Sequence, residues 1–261
     1  MLISSLQNPR IKQLVKLRNR RARDTHKVIV VEGVRAIKMA VDNNIPIKEL
    51  YFCRELMSSE DNALVERLKG VKLFELSKAV FSKIAYREKP EGILALIDQF
   101  DCSLNDQAFK PGGLYLTASA IEKPGNLGTM LRTADALGVD GVICCDTATD
   151  VYNPNVVRAS MGALFSVPLF IASESEFFAW KNKHSVSLVA TTPYTDKRLH
   201  EVDLTGAVAL AVGKEQTGLS EVWFEQADLQ VLIPMKGTVD SFNASVSAAI
   251  VLYEATRQRN A

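Results

Sequence analysis

Leu232-Ile233-Pro234-Met235-Lys236-Gly237-Thr238-Val239-Asp240-Ser241-Phe242-Asn243-Ala244-Ser245-Val246-Ser247 is the stretch whose reading decides the fold. A strand stops at Pro234, which has no N–H to give to a ladder. The chain loops through Gly237 and enters a helix at a run of small polar residues. Ser241 is a cap candidate, because a serine oxygen can accept from the first free N–H groups of a helix. Capping needs one such residue; Ser241, Asn243, Ser245 and Ser247 exceed that need and point to close backbone packing or a ligand. Apolar Val246, Ile250 and Tyr253 then keep a 3–4 spacing, which predicts a long helix from near Ser241 towards Gln258.

Working back, Val212-Gly213-Lys214-Glu215-Gln216-Thr217-Gly218-Leu219-Ser220 is a strand end followed by a glycine-flanked loop that holds Glu215. A phosphate-binding P-loop requires a glycine five positions before the Gly-Lys pair and Ser or Thr after it. Val208 and Glu215 occupy those positions, so that reading fails. No G-x-G-x-x-G follows a strand, which excludes the usual dinucleotide fingerprint. A third stretch, Glu122-Lys123-Pro124-Gly125-Asn126-Leu127-Gly128-Thr129-Met130-Leu131-Arg132-Thr133-Ala134, also follows a strand and opens a helix. Asn126 is its cap candidate, and Arg132 lies six residues further on, about a turn and a half into the helix.

Between these stretches, strands are expected at 114–118, 142–145, 187–191, 207–212 and 229–233. Helices are expected at 127–137, 156–165 and 174–181. Strands separated by helices imply a parallel sheet covered on both faces. The first half alternates too: a helix at 8–23, strands at 28–31, 47–52, 71–76 and 93–97, and helices at 33–43 and 62–69. Residues 98–113 lose periodicity and carry Pro111-Gly112-Gly113. The expected organisation is therefore α/β throughout: a small domain over 1–98, a linker over 99–113 and a larger parallel-sheet domain over 114–261.

The 261 residues are 47% hydrophobic and 23% charged, enough to bury a core. No apolar run reaches the ~18 residues of a membrane span, and the N-terminus lacks a signal-peptide core, so a cytoplasmic protein is expected. Cys53, Cys102, Cys144 and Cys145 form no C-x-x-C pair, and His26, His184 and His200 show no ligand spacing; no metal is expected. The net charge of +1 hides a division: residues 1–100 hold 19 basic and 12 acidic side chains, residues 101–261 hold 12 and 18. Within residues 1–23, Arg10, Lys12, Lys16, Arg18, Arg20, Arg21 and Arg23 meet no acid at all. Such a block suits nucleic-acid phosphates.

Taken together, the three stretches resemble the motifs of the SpoU/TrmH family of RNA ribose 2′-O-methyltransferases, and Tyr152-Asn153-Pro154-Asn155-Val156-Val157-Arg158-Ala159-Ser160-Met161-Gly162-Ala163 resembles a further family segment. The match spans 114–258. The first half resembles the family's ribosomal-protein-like substrate-binding domain, through Val30-Val31-Glu32-Gly33 and Pro90-Glu91-Gly92-Ile93-Leu94-Ala95. The resemblance implies a SPOUT domain with a deep trefoil knot, a homodimer, and S-adenosylmethionine held by backbone groups of Gly213, Ile233 and Phe242. It implies structured RNA as substrate, with ribosomal RNA ahead of transfer RNA; a non-catalytic RNA binder is the other class. The family assigns its first-motif arginine, here Arg132, to activating the ribose hydroxyl. A guanidinium keeps its proton, so binding phosphate and stabilising the alkoxide is an equal role. Asn126, Glu215, Ser241 and Asn243 match positions that hold Arg132 and the substrate.

Overall fold

The computed structural model describes residues 2–68 and 70–260. Lys69, where the helix expected over 62–69 ends, lies outside them. The chain divides into two compact units: Met1–Phe100 with Asp150–Ser166, and Asp101–Thr149 with Val167–Ala261. The sequence reading did not anticipate that residues 150–166 pack with the first unit.

The first unit runs β1 (Leu2–Ile3), α1 (Pro9–Lys16), α2 (Arg20–His26), β2 (Val28–Glu32), α3 (Val34–Asp42), β3 (Ile47–Phe52), α4 (Ser59–Arg67), β4 (Lys72–Leu76), α5 (Lys78–Ile84) and β5 (Ile93–Asp98). Its sheet has the order β1-β4-β3-β5-β2; β5 runs antiparallel to both neighbours and the other pairs are parallel. The single helix expected over 8–23 is two helices. Asn19 interrupts it, accepting from the Arg21 N–H at 2.8 Å and so starting α2. Ile11, Leu14 and Leu17 fall on the inner face and join Val30, Tyr51, Leu76 and Phe81 in one core.

The rest of the chain runs β6 (Leu114–Ser119), α6 (Pro124–Ala136), β7 (Gly141–Cys145), α7 (Pro154–Ala159), β8 (Leu169–Ala172), α8 (Glu174–Lys183), β9 (Ser187–Thr191), β10 (Val208–Val212), α9 (Glu221–Gln226), β11 (Leu229–Val231) and α10 (Ala244–Arg259). The second sheet has the order β11-β9-β10-β6-β7-β8, every pair parallel. Strands buried on both faces explain the unbroken apolar runs Val208–Val212 and Gly141–Cys145. Tyr115, Phe177, Trp180 and Trp223 fill one side, with the Trp223 indole donating to Glu174 at 2.6 Å.

Two cap assignments change. Lys123, not Asn126, is the N-cap of α6, and Pro124 takes the first turn, where its missing N–H costs nothing. Asn243, not Ser241, caps α10, accepting from the Ser245 N–H at 2.9 Å. The helix expected over 156–165 is only α7 and a short turn after Gly162, whose φ is +96°. α7 packs on β2, and a Cβ on Gly162 would lie 2.7 Å from the Met39 Cβ, which leaves no room for a side chain. No helix among the described residues is long and apolar enough to cross a membrane.

Candidate active site

In the second unit the chain winds β6, β7, β8 towards one edge and then places β9, β10 and β11 on the other side of β6. β6 and β10 are neighbours across this change of direction. Loops at the C-terminal ends of such strands diverge and leave a crevice. Glu215, in the loop after β10, ties the crevice together. Its carboxylate accepts from the Glu122 N–H at 3.3 Å, the Lys123 N–H at 3.2 Å and the Asn126 amide at 2.6 Å. The Asn126 oxygen accepts from the Asn243 amide at 3.2 Å, and the Asn243 oxygen accepts from the Ser245 N–H and, at 2.7 Å, its hydroxyl. One hydrogen-bonded chain thus passes through all three stretches singled out in the sequence. Burial pushes the Glu215 carboxyl up. The opposing hydrogen bonds from its own N–H, Asn126, Glu122 and Lys123 win, so the group lies below its ordinary range.

Beside this chain lies a cavity of about 250 Å³. Gly213, Ile233 and Phe242 all line it, with Glu215 and Ser241. At Gly213 only glycine fits: a Cβ would lie 2.0 Å from the Gly218 carbonyl carbon. Asp240 lines the cavity too, as do Thr191 to Tyr194 of the loop after β9. Those five were missed, although the strand-end rule that singled out Glu215 applies equally to β9. Thr192 is buried and its hydroxyl accepts from the Tyr194 N–H at 3.1 Å, fixing the turn.

Arg132 is placed apart from this network. It is exposed on α6 and makes no hydrogen bond or ion pair among the described residues. Asn126, Glu215 and Asn243 are joined to one another, not to Arg132. Arg132 lines a wider, apolar groove of about 800 Å³ between α6 and α10, with Thr133, Leu137, Val246, Ile250 and Tyr253. Ile233 borders both cavities.

In the first unit the basic block needs a correction. Arg23 is 1% exposed and donates to the Leu17 and Arg18 carbonyls and to the Asp150 carboxylate. It is a core residue, because burying a guanidinium demands such partners, and no phosphate reaches it. Arg10 and Arg18 are also engaged, Arg10 with Glu49 at 2.9 Å and Arg18 with the Ala85 carbonyl at 2.7 Å. Lys12, Lys16, Arg20 and Arg21 stay exposed, Arg20 beside Asp24 at 3.4 Å. The four cysteines are buried and form no disulfide, and no cluster of three or more metal-ligating side chains occurs among the described residues.

The second unit is a parallel-sheet α/β fold, and its likeness to solved SpoU methyltransferases places it in the SPOUT class of methyltransferase folds. The chain belongs to the SpoU rRNA methylase family, whose model matches residues 113–253, and an MRM3-like substrate binding domain matches residues 8–95. It is 32% identical, over 93% of its length and 87% of the relative's, to the 23S rRNA (uridine(2479)-2′-O)-methyltransferase of Streptomyces viridochromogenes. A crystal structure of an RNA 2′-O ribose methyltransferase superposes with a TM-score of 0.90 at 41% identity, covering 100% of both chains. The SpoU methyltransferase AviRb from Streptomyces viridochromogenes, in complex with AdoMet, superposes with a TM-score of 0.88 at 32% identity, covering 97% of this chain and 99% of that one.

Proposed function

We propose that this protein transfers a methyl group from S-adenosylmethionine to a ribose 2′-hydroxyl of ribosomal RNA, working in the cytoplasm. The observation that carries the reading is the hydrogen-bonded chain Glu215–Asn126–Asn243 at the rim of the glycine-walled cavity. The named activity of the Streptomyces relative and the AdoMet-bound structure of AviRb support it. The cavity suits the cofactor. Its Gly213 wall is backbone only, and the Glu215 and Asp240 carboxylates favour a cationic sulfonium. The cofactor supplies an electrophilic methyl group on that sulfonium. Backbone groups of Gly213, Ile233 and Phe242 hold it, and Ser241 lies beside them.

The chain's own task is to place the hydroxyl and to manage its charge. Asn126, Glu215 and Asn243 fix the loop geometry. Arg132, exposed on α6 at the apolar groove, takes a substrate phosphate and stabilises the developing alkoxide. The exposed Lys12, Lys16, Arg20 and Arg21, with Arg10 and Arg18, guide the RNA backbone. The apolar groove between α6 and α10 serves as a homodimer face. β11 pairs at the sheet's edge, yet Asn243 returns to Asn126 beside β6. That return supports a trefoil knot formed by the passage over 232–243. Pulled from its two ends, a knotted chain stops short of the ~3.3–3.6 Å per residue of full extension; reaching it disproves the knot.

The test of function maps 2′-O-methylation across ribosomal and transfer RNA in a deletion strain. One ribosomal ribose should lose its methyl group; loss confined to transfer RNA would overturn the substrate assignment. In parallel, Gly213→Val should abolish binding of S-adenosylhomocysteine in calorimetry. Undiminished heat would remove this cavity from the mechanism.

A further inference from the structure

Away from the site above, α1 and the neighbouring ends of β2, β3 and β5 in the first unit enclose a cavity of about 120 Å³. Its apolar side is Leu14, Leu17, Val28 and Leu96. Its polar side is a linked pair. Arg10 Nη1 donates to Glu49 Oε1 at 2.9 Å, and the fully buried Tyr51 donates its hydroxyl to Glu49 Oε2. The Arg10 guanidinium carbon lies over the Phe74 ring, 4.1 Å from its centre. His26 is the wall shared with a shallow groove between α1 and α2, lined by Lys16, Arg18 and Arg21 and by no acid.

We propose that this cavity takes one unstacked guanine base of single-stranded RNA, while the adjoining phosphates lie along the groove between α1 and α2. The proposal rests on the reading that the basic block meets RNA. Size limits the occupant: at about 120 Å³ the cavity lies well below the ~300–1,000 Å³ of larger ligand pockets, which favours one planar base over a whole nucleotide. The hydrogen-bonding pattern selects the base. An ionised carboxylate has about four acceptor sites, and the bonds from Arg10 and Tyr51 use two. Both Arg10 bonds in the cavity use Nη1, which leaves Nε and Nη2 of the planar fork unengaged among the described residues. Guanine offers two adjacent N–H donors to one carboxylate and a neighbouring carbonyl oxygen to a guanidinium. Adenine would turn a ring-nitrogen lone pair towards Glu49. Splayed bases read on their Watson–Crick edges are the usual basis of sequence-specific RNA recognition. Lys48 at the rim is held by Asp98 at 2.5 Å and does not compete for Glu49.

The experiment uses the full-length protein and fluorescent oligouridylates carrying one central guanosine, inosine or adenosine. Guanosine should bind on the order of tenfold tighter than adenosine, with inosine, which lacks the 2-amino donor, in between. Glu49→Gln should erase the ranking, because a carboxamide sets its own N–H groups against those of guanine. Gln13→Trp, on the exposed side of α1, fills the cavity mouth without touching the Arg10–Glu49–Tyr51 network, and should erase it as well. Both variants should keep the wild-type salt dependence. Equal affinity for the three RNAs, or a ranking that survives both variants, overturns the proposal. A steep salt dependence without base preference overturns only the guanine pocket. A flat one overturns the wider reading of the basic block.

Discussion

Arg132 holds a positive charge on the exposed side of α6, while three of the four polar residues expected to hold it and the substrate, Asn126, Glu215 and Asn243, bond to one another instead. An unpartnered guanidinium at the edge of a reaction crevice costs little in the resting protein and acts only when an anion arrives. Arg132→Ala should therefore lower the methyl-transfer rate by on the order of 10²–10³ while calorimetric affinity for S-adenosylhomocysteine stays near wild type, because Gly213 and Phe242 line the other cavity. Arg132→Lys distinguishes a point charge, which would retain part of the rate, from a planar fork, which would not. Wild-type turnover in the alanine variant would remove Arg132 from catalysis. Glu215 makes a different prediction. Its folded pKa is depressed, so its contribution to stability is complete above the unfolded value of ~4.3. That contribution is lost as pH falls through the lower folded value. Glu215→Gln should lower stability at pH 7 and make the acid limb of a urea-denaturation series shallower; parallel curves for the two proteins would contradict the clamp.

At the scale of elements, α10 buries Ala248, Val251, Leu252 and Ala255 inside the unit but leaves Val246 43% and Tyr253 63% exposed. With Ile250 and the flank of α6 these make the apolar groove that also holds Arg132. Apolar surface of this kind, open to water, marks an association site. The protein should run as a dimer near 57 kDa in light scattering, twice 28.7 kDa, and Tyr253→Glu should yield monomer. A wild-type monomer at micromolar concentration would end the dimer reading. Residues 156–165 were expected as an apolar helix of the second domain, but Val156, Val157, Ala163, Leu164 and Phe165 are buried within the first unit. Periodicity shows that a face is apolar, not what covers it, and this contrast shows where the sequence runs out. The long apolar strands and α10 were legible because burial on both sheet faces and a 3–4 spacing leave strong patterns. β8 and α9 were not, being short elements with weak periodicity. Glycine and the polar run at 241–247 marked the cavity's loops, yet neither marked that Asn243 rather than Ser241 caps α10. That choice was made by the Asn126–Asn243 contact, which is distant in sequence.

At the scale of the whole molecule, the proposed RNA contact rests on the charge division between the halves, and the core decides how that idea can be tested. Deleting residues 1–23 would remove Ile11, Leu14, Leu17 and the buried Arg23–Asp150 pair along with the surface charge. Losing one partner of a buried pair alone costs about 3–5 kcal/mol, so the truncated protein would fail for reasons unrelated to RNA. Lys12, Lys16, Arg20 and Arg21 are exposed and can be changed to alanine without opening the core. If each neutralises one phosphate, the quadruple variant should lose roughly three units from the slope of log affinity against log salt, at ~0.7–0.9 per contact. Binding should weaken most at low salt, where counterion release contributes most. S-adenosylhomocysteine affinity should not move, since the cofactor loops lie in the second unit. Filter binding of ribosomal RNA fragments between about 50 and 200 mM salt covers the informative range. An unchanged slope would show that these four cations are a solvated face and that RNA is gripped elsewhere. A smaller slope with intact cofactor binding would establish that substrate capture and methyl transfer are carried by separate parts of one chain.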